Sequence, residues 1–258
     1  MKQKHIISID KSLCIRCGLC QKDCAHRSIT VTDRSAEITS QDCWKCGHCV
    51  AVCPQNAISI SGFADSPEEL APNMKYAPDI LMALIKGRRS IRQFTKQEIS
   101  SEIIMQIIEA GRYTPTGLNR QGVSYVILRE HLGECEKIAV SFTRRLRPII
   151  GIFLKPFRRM RIDDHFIFKG ATVAIVIKSK DKTDGLLAAS AMELAARTHG
   201  LGVLYSGMFT RAAKYSWKLR RQLSAVSRGK AVITLVLGYP AVQYQRTAQR
   251  EQPIVQYY

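Results

Sequence analysis

Short apolar stretches recur through the first 60 residues of the chain, each only a few residues long. They stand on either side of two cysteine-rich stretches: Ile6-Ile7, Ile29-Thr30-Val31, Ile38 and Ile58-Ser59-Ile60. Apolar residues at every second position are typical of β-strands that bury one face. The pattern therefore predicts brief strands that bracket each cysteine-rich stretch.

Longer elements are predicted beyond residue 78. Four isoleucines that follow Ser100, at positions 103, 104, 107 and 108, share one face of a helix. Further helices are predicted at 79–86, 184–199 and 211–223, and strands at 123–128, 171–177 and 230–237. The helices and strands do not alternate as they do in a doubly wound sheet, so the pattern favours the α+β class.

The segment between these two regions has its own composition. Residues 61–78 contain three prolines and show no clear periodicity, which is typical of a linker. We therefore expect a small domain at 1–62, a linker at 63–78 and a larger domain at 79–258.

An internal repeat organises the small domain. Cys14-Ile-Arg-Cys-Gly-Leu-Cys followed by Cys24 is matched 29 residues later by Cys43-Trp-Lys-Cys-Gly-His-Cys followed by Cys53. A fixed period is the mark of a duplicated structural unit. Eight of the nine cysteines belong to this repeat, and the chain shows no export signal, so metal or cluster ligation is a better interpretation than disulfides.

The spacing C-x2-C-x2-C-x3-C, present twice, indicates two 4Fe–4S clusters. In such sites the fourth cysteine of each run binds the cluster of the other run. One cluster would take Cys14, Cys17, Cys20 and Cys53, and the other Cys24, Cys43, Cys46 and Cys49. Zinc is the alternative, but zinc sites pair C-x2-C units across longer loops. Cys135 is interpreted as a structural thiol.

Residues 4–61 resemble the two-cluster bacterial ferredoxins. The resemblance rests on the two cysteine runs and on Pro54 after Cys53. Ala25 stands where a proline often follows the first run in that family. Because proline is not a ligand, this difference bears on the cluster potential and not on cluster binding.

The net charge of +18, from 39 basic and 21 acidic residues, indicates anionic partners or a solubilising surface. The basic segments match no helix-turn-helix, zinc-finger or RNA-binding motif, which speaks against nucleic acid. No apolar run is long enough to cross a bilayer, and the N-terminus has no signal-peptide core, so we expect a cytoplasmic protein. The basic segment 142–168 leaves three interpretations open: a solvated helical face, a basic and aromatic lid that selects anionic substrates, and a membrane-surface contact.

Several motifs of the large domain point to an organic cofactor. No G-x-G-x-x-G or P-loop sequence is present, so a Rossmann or P-loop site is unsupported. Arginines around a serine in the stretch 88–94 could instead clamp a phosphate. Taken alone, the stretch is equally typical of a generic basic turn. The remaining motifs are Pro115-Thr-Gly-Leu-Asn-Arg-Gln, Ser206-Gly207, Gly238-Tyr-Pro and a basic tail.

In this order the motifs of residues 79–258 resemble the FMN-dependent nitroreductase superfamily, specifically its ferredoxin-fused members. The resemblance implies a nitroreductase-like α+β domain, an FMN at a homodimer interface, and a loop that reaches the flavin from the partner subunit, with Thr116 in place of the family's serine. It also implies that a backbone N–H at Ser206-Gly207 faces flavin N5 and that Arg250 reaches the phosphate. The FMN contacts implied are Arg88, Arg89, Ser90, Arg92, Pro115, Thr116, Gly117, Asn119, Ser206, Gly207 and Arg250.

The implied function is an oxidoreductase that passes electrons from two 4Fe–4S clusters to FMN and on to an electrophilic small molecule. A nitroaromatic, a quinone or a conjugated carbonyl compound fits this description. Reduced ferredoxin, flavodoxin or a nicotinamide cofactor would be the external electron donor. No dedicated acid–base pair is evident, so no catalytic side chain is assigned. The alternative is a non-catalytic electron-transfer or redox-sensing protein.

Overall fold

The structure is a computed structural model that describes residues 5–70, 77–153, 157, 160–226 and 229–258. It divides into two compact units. The first, here called the cysteine unit, comprises Met1–Tyr76 and Thr116–Arg120. The second, called the sheet unit, comprises Ala77–Pro115 and Gln121–Tyr258. Residues 71–76 of the expected linker lie outside the described residues.

The cysteine unit contains two small antiparallel sheets. Strand β1 (Ile7–Ile9) pairs with β4 (Ile58–Ile60), and β2 (Ile29–Val31) pairs with β3 (Ala36–Ile38). Two short helices, α1 (Leu19–Asp23) and α2 (His48–Ala51), lie between the strands in sequence. The first residue of each strand is buried and the second is exposed, which is the alternation that the apolar pattern predicts.

The sequence repeat is also a repeat of backbone conformation. Gly18 and Gly47, which precede α1 and α2, both have φ of 76° and ψ of −2°. Arg16 and Lys45 also share a positive φ, of 60° and 56°. A non-glycine residue in this region is uncommon, so the same strained turn has been built twice. A side chain on either glycine would be strained as well, which explains why each run carries glycine there.

A four-stranded antiparallel sheet forms the centre of the sheet unit, in the order β5-β6-β8-β7. Its strands are β5 (Ser124–Leu128), β6 (Val173–Ser179), β7 (Gly202–Tyr205) and β8 (Lys230–Gly238). The helices are α3 (Pro78–Lys86), α4 (Ser101–Arg112), α5 (Leu132–Phe153), α6 (Lys182–Thr198), α7 (Gly207–Tyr215) and α8 (Trp217–Val226). The mixture confirms the predicted α+β class.

Helices cover both faces of this sheet. Strand β6 is buried along its whole length and sends alternate residues to opposite sides. Ala174 and Val176 pack with residues of α5, α7 and α8, whereas Ile175 and Ile177 pack with residues of α4 and α6. The continuous apolar run therefore arises because the strand faces a core on each side.

Helix ends follow the local signals in part. Ser100 caps α4 by accepting a hydrogen bond from the Ile103 amide at 3.3 Å, as expected for an N-cap serine. The single helix predicted at 211–223 is wrong, because Ser216 is extended (φ −76°, ψ 120°) and separates α7 from α8. Helix α5, which continues through Pro148, was not predicted.

Two aromatic residues of the basic segment 142–168 belong to the core. Phe166 and Phe168 are buried in the core, and the Phe168 ring lies 4.8 Å from that of Phe209. Arg144 pairs with Asp164 at 2.8 Å and donates to the Ile162 carbonyl. Residues 154–156 and 158–159 of this segment lie outside the described residues. Among the helices of the described ranges, none combines the length and the apolar character needed to cross a membrane.

Candidate cofactor sites

The eight cysteines of the repeat line two separate cavities. The first is lined by Cys14, Cys17, Cys20 and Cys53. The second is lined by Cys24, Cys43, Cys46 and Cys49. The last cysteine of each run thus faces the cavity of the other run, in the crossed arrangement of two-cluster ferredoxins.

Backbone amides point at the sulfur atoms around these cavities. The Ser28 amide donates to Cys24 Sγ and the Ala57 amide to Cys53 Sγ, both at 3.3 Å. These two contacts are again 29 residues apart. The Ala36 amide donates to Cys14 Sγ at 3.3 Å and the Lys45 amide to Cys43 Sγ at 3.2 Å. Hydrogen bonds of this kind to ligand sulfur help to set the reduction potential of a cluster.

Burial makes the thiols around these cavities harder to ionise. Burial, followed by the charges of Cys43 and Cys46, raises the pKa of Cys49 to about 11. Burial likewise raises the pKa of Cys20. Such thiols hold their protons at neutral pH unless a cation compensates the thiolate, and ligated iron supplies that compensation. Two crossed quartets of thiols fit iron–sulfur cubanes better than zinc ions, whose sites pair C-x2-C units.

The two cavities differ in their other lining residues. Apolar residues line both cavities, but the first adds Arg16 and Gln55, whereas the second adds His26, Trp44 and His48. The rings of His26 and Trp44 meet edge to face at 5.5 Å. Because charge and hydrogen bonding around a cluster tune its potential, we expect the two clusters to have different potentials.

In the sheet unit, the arginine-rich segment lies along β7. The Ile91 amide donates to the Val203 carbonyl at 3.0 Å, and Ser90 and Val203 form an isolated β-bridge. Ile91 is buried, and a Cβ on Gly202 would lie 2.6 Å from its Cγ1 atom. Glycine at 202 therefore allows the segment to approach the strand closely.

The two arginines that begin this segment are held by different groups. Arg88 Nη1 lies 3.4 Å from Glu193 Oε1 on α6. Arg89 donates to the Arg246 carbonyl at 3.2 Å, and its guanidinium lies 6.0 Å from the Tyr244 ring. The C-terminal tail therefore passes beside Arg89.

The turn at Ser206-Gly207 lies at the far end of β7. The Ser206 amide donates to the Thr234 carbonyl at 2.8 Å, and the Ser206 hydroxyl caps α7 through the Phe209 amide. The Ser206 N–H is thus already engaged. Gly207 is exposed and is the first residue of α7, where an amide has no intrahelical partner. Of the two backbone N–H groups predicted to face flavin N5, the one of Gly207 is therefore the candidate.

The spacing of these groups suits an elongated ligand with an anionic end. Val203, beside the arginine segment, and Gly207 are four residues apart, which is at most about 14 Å along the chain. Arg197 adds a further positive charge next to the start of the arginine segment. Its Nη2 atom lies 3.1 Å from the position that a Cβ on Gly87 would take. The Arg197 Nε atom is buried and has no hydrogen-bond partner among the described residues. An anion at this place would complete its bonding.

The remaining predicted contacts are placed as follows. Arg92 is exposed, and Arg250 lies in the exposed tail. Thr116, Gly117 and Asn119 belong to the cysteine unit and Pro115 to the sheet unit. Within the cysteine unit, Asn119 Nδ2 donates to the carbonyls of Trp44 and Lys45, at 3.2 and 2.6 Å. The structure therefore shows that the 88–92 segment pairs with β7. The contribution of the 115–119 loop to the flavin stays a prediction.

Sequence reasoning missed Glu193, Arg197 and Tyr244. The first two are one turn apart on α6, inside an alanine-rich stretch that otherwise indicates packing. A carboxylate within such a stretch could have been recognised from the sequence, because a buried acid requires a cation or a hydrogen-bond donor as its partner.

Two family models match the chain. Residues 13–62 match the 4Fe–4S dicluster domain. Residues 85–239, more than half of the chain, match the Nitroreductase family. The chain belongs to the nitroreductase family. The predicted resemblance to ferredoxin-fused nitroreductases is thereby confirmed, and the dicluster match confirms the prediction of two 4Fe–4S clusters.

Known proteins resemble each part of this nitroreductase-family chain. A protein of Archaeoglobus fulgidus, provisionally named NADH dehydrogenase/NAD(P)H nitroreductase, is 26% identical over 170 residues, which are 62% of this chain and 84% of that protein. One component of an ion-translocating oxidoreductase complex from Methanosarcina acetivorans is 42% identical over 59 residues, 23% of this chain. The match spans only 22% of that component.

Solved structures include a protein of Desulfovibrio desulfuricans, provisionally described as a nitroreductase, in complex with FMN. It is 25% identical, with a TM-score of 0.50, and the match covers 70% of this chain and 94% of that one. Together the findings support an iron–sulfur flavoprotein oxidoreductase.

Proposed function

We propose that this chain is an enzyme that delivers electrons from two 4Fe–4S clusters, by way of bound FMN, to an electrophilic small molecule. One observation carries the proposal. The chain that builds two crossed cysteine quartets also builds a nitroreductase-family sheet with an arginine-rich segment along the strand that leads to a helix N-terminus. Clusters carry electrons but bind no organic substrate, so a second redox group in the same chain gives those electrons a destination.

The protein's part in the cysteine unit is to hold and tune the clusters. The thiolates bind iron, and the amides of Ser28, Ala57, Ala36 and Lys45 donate to sulfur. These donors stabilise the more negative, reduced state of each cluster.

In the sheet unit the protein's part is to bind and orient FMN. Arg88, Arg89 and Arg92 would hold the phosphate and Ser90 the ribityl chain, with Arg250 of the tail as a further phosphate contact. The Gly207 N–H, at the start of α7, would stabilise negative charge on the ring. When bound, FMN supplies the capacity to take up single electrons and release two, which no side chain offers.

The proposed substrate is a nitroaromatic, a quinone or a conjugated carbonyl compound. We further propose a homodimer in which the 115–119 loop of one subunit reaches the flavin of the other. The electron donor would be reduced ferredoxin, flavodoxin or a nicotinamide cofactor.

Anaerobic purification followed by chemical analysis tests the proposal. We expect about eight iron and eight sulfide atoms and one FMN per chain, as two 4Fe–4S clusters and one flavin require. In stopped-flow mixing, the reduced protein should be reoxidised by members of a substrate panel, with flavin and cluster absorbance recovering together. A brown protein without a flavin spectrum, or one whose reoxidation ignores every substrate, would instead favour the electron-relay or redox-sensing alternative.

A further inference from the structure

One buried acid of the sheet unit lies outside the predicted cofactor contacts. Glu193 on α6 has only 7% of its side chain exposed, and its Oε1 atom lies 3.4 Å from Arg88 Nη1. The Arg88 side chain is 38% exposed, so part of its guanidinium faces solvent. A buried carboxylate is stable only when a cation or hydrogen-bond donor compensates it, and Arg88 provides that compensation.

The second neighbour of this acid is Tyr205, the last residue of β7. The Tyr205 hydroxyl donates to the Ala189 carbonyl, one turn before Glu193, at 3.1 Å. Burial, followed by the negative charge of Glu193, raises the pKa of Tyr205. Tyr205 directly precedes Ser206 and Gly207, so α6 supports the strand end at which the ring is expected.

We propose that Glu193 is a positioning residue of the flavin site, which fixes the Arg88 guanidinium at the phosphate end. The inference rests on the proposed function. It identifies a carboxylate that supports the phosphate end of the site, although it does not touch the ligand.

The physical reason is preorganisation. A free arginine side chain has many rotamers and loses this freedom when it clamps a phosphate. Glu193 restricts Arg88 before the ligand arrives, while the five N–H donors of a guanidinium leave several for the phosphate. The ion pair with Glu193 lowers the net positive charge that Arg88 presents to the phosphate. In return, the planar set of guanidinium donors is already held in place.

The test is a titration of FMN into the flavin-free full-length protein with its clusters intact, followed by flavin fluorescence. Glu193→Gln keeps the size of the side chain, but it loses the ion pair with Arg88. We expect the dissociation constant of FMN to rise about tenfold or more, since hydrogen bonds to charged groups are of that order. Glu193→Met, an apolar replacement of similar size, should give the same loss and serves if the glutamine variant folds poorly.

Two comparisons separate positioning from a merely structural role. In an Arg88→Gln background, Glu193→Gln should change the dissociation constant less than about twofold, because its effect acts through Arg88. The free energy of unfolding of the sheet unit, measured on the flavin-free full-length protein, should change little. The variant loses the ion pair, but it also no longer buries a charge. Unchanged or tighter FMN binding by Glu193→Gln overturns the inference, and so does an equal effect in both backgrounds.

Arg89→Gln distinguishes a failure of this inference from a failure of the proposed function. Arg89 is held by the tail and not by Glu193, so its replacement should weaken FMN binding in either Glu193 background. If the wild-type protein and Arg89→Gln behave as expected while Glu193→Gln binds FMN normally, only the positioning role is wrong. If the wild-type protein takes up no FMN, the proposed function fails and the inference fails with it.

Discussion

The two units are held together in different ways. The buried core of the cysteine unit consists of Ile7, Cys20, Ile29, Ala36, Cys49 and Ile58. Two of these six residues are cysteines that face the cluster cavities. In the sheet unit, the residues at the centre of β6 and β8 are fully buried between two helical layers. The comparison indicates that the first unit depends on its cofactors for folding, because a core this small cannot hold a domain of that size, whereas the second is stabilised by apolar packing.

The strongest test of this difference is removal of the clusters. Anaerobic treatment of the full-length protein with an iron chelator and ferricyanide should unfold the cysteine unit, since ligand binding and folding are coupled in such small sites. We expect the backbone amides of β1 to β4 to lose all protection from hydrogen exchange. The amides of β6 and β8 should keep theirs, because no cluster ligand lies in their core.

Cys135→Ala is the matched control for this experiment, since Cys135 is buried in the sheet unit and faces neither cavity. It should retain the full iron and sulfide content, whereas Cys20→Ser with Cys49→Ser should lose both clusters. Simultaneous loss of protection in the two units, or protection in the cysteine unit that survives chelation, would contradict the comparison.

The same difference decides what could be predicted from sequence. The cysteine quartets could be predicted because three ligands of each cluster lie within seven residues, so local spacing alone encodes the site. The ion pair between Arg88 and Glu193 joins residues 105 positions apart, and no local pattern specifies such a pair. The separation of α7 from α8 at Ser216 was missed for a related reason. The apolar period continues across the break, and tertiary packing decides where the helix ends.

A steric change should affect the sheet unit alone. In Gly202→Ala the new Cβ would lie 2.6 Å from Ile91 Cγ1, closer than real contacts allow, so the arginine segment must shift. Overpacking of this kind costs about 2 kcal/mol of unfolding free energy. Denaturant unfolding of the sheet unit measures the loss, and FMN occupancy should fall with it.

Gly133→Ala is the control for this steric change in the same unit. Gly133 lies in α5, and an added Cβ would meet nothing within 4 Å. The preference of about 0.5–1 kcal/mol for alanine over glycine holds for the middle of a helix. Because Gly133 is the second residue of α5, this variant should keep its stability and bind FMN normally. The steric argument is wrong if the two variants change stability equally, or if either one alters the iron content.

The smallest expected effect concerns the one cysteine that serves packing and not ligation. Burial, followed by the charge of Glu134, raises the pKa of Cys135 to about 11. In the unfolded chain a thiol titrates near 8.5–9. Below that pH both states hold the proton and the full stability is present. As the pH rises further, the unfolded chain releases its proton first, so stability falls until the folded pKa is passed.

Between pH 8 and pH 10 the sheet unit should therefore lose about 1 kcal/mol of unfolding free energy through this thiol. Denaturant titrations of the wild type and of Cys135→Ala at both pH values isolate the contribution, since other groups titrate alike in the two proteins. Parallel losses in both proteins would mean that Cys135 ionises as freely in the folded core as in water, and that its burial contributes nothing to the packing that distinguishes the sheet unit.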